Sequence, residues 1–342
     1  MTGTIVEREI TRPVSLTDAR GNLDRDAVGW TRTQLHETSG VTRRAWGRNK
    51  RWEYWSVIGP RFMVSLTVSA VDYAGVQEVW VHDRETGAER HASAIMPFAR
   101  GVELPPSLGG GPARVATTGL EIAIEPLADG AWRLSTRIPG VEAEIVAAPP
   151  AGSEALGVVV PWSDTRFQYT VKAAALPATG IVRIDGEEFA VEAGGEAGGG
   201  AWAVLDHGRG RWPYDVKWNW AAGSGVVDGK RIGIQLGGQW TDGSGSTENA
   251  LFVDGRLHKI SEELTWEYDT ADYLKPWRVH GTSADLTFTP FYDKVSRTAL
   301  GVISTRTDQC FGYWTGWMLD DAGTRVRVDG AVGFAEDVHN RW

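Results

Sequence analysis

Cysteine is almost missing from the chain. Its 342 residues hold one, Cys310, which excludes a disulfide framework and a cysteine metal cluster. Long apolar runs are missing as well: no window approaches the roughly 18 uninterrupted apolar residues a membrane helix needs. The first ten residues, Met1 to Ile10, carry charges where a signal peptide would need an apolar core. These absences predict a chain of the reducing cytoplasm with no integral membrane association. Positive charge is also in short supply. Lysine and arginine number 35 against 44 aspartates and glutamates, a formal charge of −9, which argues against a nucleic-acid partner or an anionic membrane bound by bulk electrostatics. The seven histidines show neither i, i+4 pairing nor H-x-E-H spacing, so no metal site is expected. G-x-S-x-G, G-x-G-x-x-G and the P-loop are absent too, and no cofactor is expected. Cys310 has no basic neighbour to lower its pKa and reads as a buried small hydrophobe.

What the chain does have is glycine and tryptophan, 42 and 17 residues respectively. Tryptophan is large and must place an indole N–H, so that many of them need walls to line. Phe62, Val64, Leu66 and Val68 alternate with Met63, Ser65, Thr67 and Ser69, the period of a half-buried strand. Further short strands read at 76–83, 119–126, 130–138, 141–147 and 231–237, with turn signals at Arg84–Gly87, Asp185-Gly186, Asp254-Gly255, Asp320–Gly323 and Asp329-Gly330. No segment carries a long, well-capped 3.6-residue period. The pattern predicts an all-β chain of two sandwiches or barrels. Residues 1–50 read as an irregular leading segment packed on the body. The glycine-rich run Glu192–Ala201 suggests a boundary, giving β-domains over 51–198 and 199–342.

Three clusters carry candidate chemistry. In Lys50–Trp55, a strand puts Trp52 and Tyr54 on one face and Glu53 and Trp55 on the other. A carboxylate such as Glu53 beside indoles in a closed space becomes a proton donor near neutral pH, whereas on the surface it would pair with Lys50 or Arg51. The second cluster is Ala201–Tyr214 followed by Trp218-Asn-Trp220. Here a strand is expected to end at Asp206-His207-Gly208, with a loop carrying Arg209, Arg211 and Tyr214. Asp206 and His207 suit a proton donor and its orienting partner, or a loop cap. The third cluster pairs Glu248 and Asn249 with the closing Asp337–Trp342, which includes His339; Trp342 is expected to dock that tail. Tyr169 and Lys172 in Phe167–Lys172 complete the candidate ligand-binding set.

Ala27–Trp30, Lys50–Trp55, Asp72–Gly75, Leu176–Gly180, Leu205–Gly210 with Trp212–Tyr214, and Glu336–Trp342 together resemble the bacterial family called domain of unknown function 2804. Trp202-x-x-x-Asp-His-Gly, Trp218-x-Trp220 and Asp228-Gly229 are similar to the signature of AttH-like proteins, a group that includes carotenoid 1,2-hydratase and kievitone hydratase. The second resemblance implies two tandem lipocalin-like antiparallel β-barrels. It also implies acid-catalysed hydration or cyclisation, with Asp206 as the aspartic acid. Gly208 and Arg209 stand where that group carries Gln or Glu and an aromatic, and Arg209 is a candidate partner for Asp206.

The expectation is therefore an enzyme acting on a small hydrophobic or polycyclic molecule in a tryptophan-lined cavity between two barrels. Asp206, His207 and Glu53 would be its catalytic groups, and Trp52, Trp55, Trp218 and Trp220 its walls. A carrier for a lipid-like or glycan-like ligand is the alternative. A glycoside hydrolase using a carboxylate pair from Glu53, Asp206 and Glu248 is a further one.

Overall fold

The computed structural model describes residues 5–195, 199–300 and 303–342. Helix among these is confined to two 3-10 turns, Arg25–Ala27 and Ser39–Arg43; nearly all other regular structure is strand. The first sheet runs, in order of pairing, Glu89–Pro97, Ala74–Asp83, Phe62–Ala70, Asn49–Ile58, Ala201–Arg211, Phe167–Ile184, Val141–Ala147, Trp132–Ile138, Leu120–Pro126 and Ala113–Thr117. It curls on itself, so that Trp55, Val64 and Leu66 share one core with Ile122, Leu134 and Ile145. The second sheet runs Arg256–Ile260, Asn249–Val253, Lys230–Gly238, Asp215–Val227, Ala331–Arg341, Ile303–Leu319, Ala284–Leu300, Trp277–His280 and Thr265–Glu267. It curls around Ile234, Leu236, Trp277, Phe288 and Trp314. The chain is all-β, a barrel followed by a half-barrel.

The turns are built as their residues dictate. At Asp185-Gly186 and Asp254-Gly255 both residues take positive φ, 49° and 89° in the first and 52° and 88° in the second. That is the left-handed pair a two-residue hairpin with right-twisted strands requires, and Asp and Gly tolerate it best.

Two expectations are corrected. The glycine-rich run does not part the domains. Ala193 bridges Ala201, so its described residues form a turn within the first sheet, while residues 196–198 of the run lie outside the described residues. Ala201–Arg211 then inserts between Asn49–Ile58 and Phe167–Ile184 and pairs with both. The first barrel is incomplete without that strand, and the chain crosses to the second sheet only at 212–214. Nor is the strand at Phe62–Ala70 half-buried along its length: Val64 and Leu66 face the barrel core, while Met63 and Ser65 are covered by the second sheet.

The barrels pack sheet on sheet. Ile58, Met63, Trp80 and Val204 of the first meet Trp220, Ala222, Phe311 and Phe334 of the second in one apolar layer. The leading segment packs Leu16, Leu23, Ala27 and Val41 against Val159, Phe167, Tyr169 and Val171. Its Glu7 also reaches the second sheet, with Oε2 2.6 Å from Lys259 Nζ. The closing residues do dock. They form the strand Ala331–Arg341, paired on both sides.

Candidate active site between the two barrels

Ala201–Arg211 stays in strand conformation through Asp206, His207 and Gly208, rather than ending there. Successive side chains therefore leave on opposite faces. Gly208 does not break the strand because it serves as floor space: a Cβ there would lie 2.2 Å from Trp52 Cε2 and 2.6 Å from Gln168 Nε2. The bare backbone lets the Trp52 indole lie across the sheet and donate from Nε1 to Asp206 Oδ2 at 2.9 Å. We predict that Gly208→Ala lifts Trp52 off Asp206 at a cost of about 1–3 kcal/mol. Denaturant unfolding and near-ultraviolet circular dichroism would register this, and an unchanged spectrum would contradict the packing described.

Asp206 takes two more contacts. Thr170 Oγ1 donates to Oδ1 at 2.9 Å, and Lys172 Nζ lies 3.0 Å from Oδ2. Lys172 is the cross-strand partner of Asp206. Its ammonium also lies 3.4 Å from Glu248 Oε1 and 3.8 Å from the Trp220 ring centroid. Burial alone would pull the Lys172 pKa down, but Asp206 and Glu248 beside it outweigh that and raise it. Arg209 is not the partner of Asp206. It leaves the opposite face, donating to the carbonyls of Trp52, Gly208 and Pro105.

The second barrel contributes Glu336, on Ala331–Arg341 opposite Trp220 and Gln309. Trp218 Nε1 donates to its Oε1 at 2.8 Å, and Gln309 Nε2 donates to its Oε2 at 3.0 Å. Gln309 Nε2 also lies 3.1 Å from the Tyr54 hydroxyl. Burial pushes the Glu336 carboxyl up to about 7, against the pull of the Trp218 hydrogen bond and of Lys172. Burial does the same to Glu248, again to about 7, against the pull of Lys172. Lys172 and the carboxyls of Asp206, Glu248 and Glu336 are thus enclosed between the sheets, with the Lys294–Glu78 pair beside Glu336, and burial raises the Glu248 and Glu336 carboxyls toward neutral pH.

Tryptophan walls this cluster at one end. Trp212 is the hub: its ring centroid lies 5.8 Å from Trp52, 5.1 Å from Trp162, 5.5 Å from Trp218, 5.1 Å from Trp240 and 6.1 Å from Trp342. Trp52 and Trp218, the two whose indoles hold Asp206 and Glu336, are half-buried, so the wall reaches the surface. Among the described residues no three His, Cys, Asp or Glu side chains converge as a metal-binding set.

Residues 7–342 match the family described as "Domain of unknown function (DUF2804)". The chain belongs to that family. Its fold is similar to three solved structures. Kievitone hydratase from Nectria haematococca has 9% identity and a TM-score of 0.52, covering 92% of this chain and 98% of that one. An AttH protein from Nitrosomonas europaea has 14% identity and a TM-score of 0.50, covering 85% and 92%. CghA has 12% identity and a TM-score of 0.50, covering 100% and 97%. At these identities the likeness is one of fold. A search of curated protein sequences finds no match. No helix among the described residues of this DUF2804 chain is long and apolar enough to cross a membrane.

The other candidate residues lie elsewhere. Glu53, Trp55, Tyr169, His207 and Arg209 leave the face of the sheet opposite Asp206, with Trp55 in the first barrel's core and Tyr169 against the leading segment. There His207 Nδ1 lies 3.4 Å and Arg209 Nη2 3.7 Å from Glu53 Oε1. Neither Glu53 oxygen, neither His207 nitrogen and not the Tyr169 hydroxyl has a hydrogen-bond partner among the described residues. Asn249 is structural, accepting from the Gly237 amide and donating to the Glu262 carbonyl. His339 lies 2.7 Å from Asp215 at an exposed position, and Tyr214 is 42% exposed. Cys310 is fully buried, and burial raises its thiol pKa.

Burial pushes Glu53 from the ordinary 4.5 up to about 7, against the pull of Arg209. A raised carboxyl pKa stabilises the fold fully below about 4.5 and loses that contribution as pH rises through 7. The shift corresponds to roughly 3 kcal/mol. We predict that Glu53→Gln loses less stability than the parent between pH 5 and pH 8, as measured by denaturant midpoints. Parallel pH curves would contradict the placement of Glu53.

The sequence does not single out Glu336, Gln309, Thr170 or Trp240, whereas Trp212 and Trp342 fall within its second and third clusters without an assigned role. One usable signal was present: Phe334-Ala335-Glu336 places a carboxylate on the same strand face as Phe334, two residues from a core aromatic.

Proposed function

We propose that this chain is a cofactor-independent enzyme that protonates a carbon–carbon double bond in a small hydrophobic or polycyclic molecule. Hydration, isomerisation or cyclisation would follow from that step. The observation carrying the reading is Glu336, a carboxyl buried between the sheets and held by the Trp218 indole and the Gln309 amide beside the tryptophan wall, where burial pushes its pKa up to about 7. A general acid works best with its pKa near the working pH.

In the proposed reaction, Glu336 gives its proton to one alkene carbon and is left as a carboxylate. The electron pair of the double bond forms the new C–H bond, leaving a cation on the neighbouring carbon. The faces of Trp52 and Trp218 and the carboxylate of Asp206 stabilise that cation. Water then adds and the resulting oxonium returns its proton to Glu336, or a neighbouring C–H gives its proton to Glu336 and forms a new double bond. Where a second double bond attacks the cation, a ring closes and the charge moves to a new carbon, and loss of a C–H proton or addition of water there restores the acid. Lys172 holds Asp206 and Glu248 in place and balances their charge. Likeness to kievitone hydratase supports hydration chemistry only through shared fold.

The test begins with native mass spectrometry of the purified chain and denaturing extraction of whatever it carries. The recovered molecule is then incubated with wild type and Glu336→Gln. Conversion by the wild type and not by the variant supports the enzyme. Recovery unchanged from both would mean a carrier and would overturn the reading.

A further inference from the structure

Two loops at the edge of the first barrel display aromatic rings that the fold does not use. Trp46 is 67% exposed and Phe98 is 59% exposed, and they stack on each other at 6.4 Å and 27°. The backbone is shaped to hold them out. Ala45 and Gly47, on either side of Trp46, have φ of 55° and 85°, and Phe98 and Ala99 have φ of 57° and 49°. A left-handed conformation at a bulky residue such as Phe98 is unfavourable. Here it yields no burial, because the ring ends in solvent. The Asp72 carboxylate fixes the first loop from below, accepting from the Gly47 amide at 2.7 Å and from the Asn49 amide at 3.1 Å.

The charge around these rings runs against the charge of the chain. Arg43, Arg44, Arg48 and Arg100 are all exposed on the same two loops, in a protein of net charge −9. Among the described residues none of them is held by a carboxylate. Arg44 bonds the Asn22 side chain, and the Arg100 guanidinium lies 5.7 Å from the Phe98 centroid. Arginine around protruding Trp and Phe, with no groove between them, suits an interface with acyl chains below and anionic headgroups above. A nucleic acid would want a channel with stacking room on both faces of a ring, whereas these two rings already stack on each other.

The loop also leads to the inter-barrel site. Lys50, four residues beyond Trp46, places its ammonium 5.3 Å from the ring of Trp342, part of the tryptophan wall. We propose that loops 43–48 and 98–100 dock the protein on an anionic lipid bilayer. The surface stands on its own geometry. Its use, delivering a membrane-dissolved apolar substrate to the tryptophan wall, rests on the function proposed above.

The test is co-sedimentation of the full chain with vesicles of phosphatidylglycerol and phosphatidylcholine, against phosphatidylcholine alone, at low and high salt. Binding to the anionic vesicles, weakened by salt, is expected. Each of Arg43→Ala, Arg48→Ala and Arg100→Ala should lower the partition about fivefold. Trp46→Ser with Phe98→Ser should lower it about tenfold or more, with far-ultraviolet circular dichroism and the unfolding midpoint unchanged. Absence of binding to either vesicle, or binding the aromatic double variant retains, would overturn the proposal. So would capture of a single-stranded oligonucleotide by the same arginines in preference to vesicles. Vesicle binding by a Glu336→Gln protein that turns nothing over would leave the docking surface standing apart from the reaction.

Discussion

Glu336→Gln is expected to lower turnover of the extracted substrate by about 10²–10⁴ while leaving its binding nearly intact, because the amide keeps the shape of the acid but has no proton to give. The side chain is placed for this comparison. Its Oε1 accepts from Trp218 and its Oε2 from Gln309, and Gln can keep the Trp218 contact through its carbonyl oxygen. The pH profile carries the sign. An acid catalyst is active while protonated, so wild-type turnover should fall as pH rises through about 7, the value to which burial pushes Glu336. Retention of full activity by the variant, or activity that rises through that range, would remove Glu336 from the chemistry.

Lys172→Met is the second large effect, and it falls on stability. The ammonium is the cation in contact with both Asp206 and Glu248, at 3.0 Å and 3.4 Å, and all three side chains are buried. Removing one member of a buried pair strands the rest without compensation and costs about 3–5 kcal/mol. The loss should be larger at pH 8 than at pH 5, since burial raises the Glu248 carboxyl to about 7 and acid lets it take up a proton and shed its charge. Adding Asp206→Asn should restore part of the stability. A loss below about 1 kcal/mol at pH 8 would mean that Lys172 does not organise the cluster.

How far the sequence led depends on which face of a strand is considered. Alternation correctly separated Trp52 and Tyr54 from Glu53 and Trp55, and the first pair faces the second barrel. Asp206 and His207 read as partners only if the strand ends at them. In the structure the strand runs on to Arg211, and the two side chains leave opposite faces of the sheet. Gly208 and Gly210 keep to the strand because Trp52 crowds the side-chain space of the first and the Phe167–Gln168 backbone that of the second.

The all-β pattern, the hairpin turns and the abundance of tryptophan were legible because each follows from local residue preference. Glu336 was not. Its meaning comes from the pairing of its strand between Asp215–Val227 and Ile303–Leu319, which no local residue preference reveals. The place where the domains part was obscured for a related reason. A strand after the glycine-rich run completes the barrel before it, and only long-range pairing reveals that.

On the proposed function, the Glu336 carboxyl between the barrels keeps its proton into the neutral range. Infrared difference spectroscopy of the carboxyl C=O stretch, recorded from pH 5 to pH 9 on wild type and Glu336→Gln, tests it most directly. The wild type should show a protonated-carboxyl band that titrates near pH 7, with one component missing from the variant. Full ionisation by pH 5.5, or identical titrations of the two proteins, would contradict it.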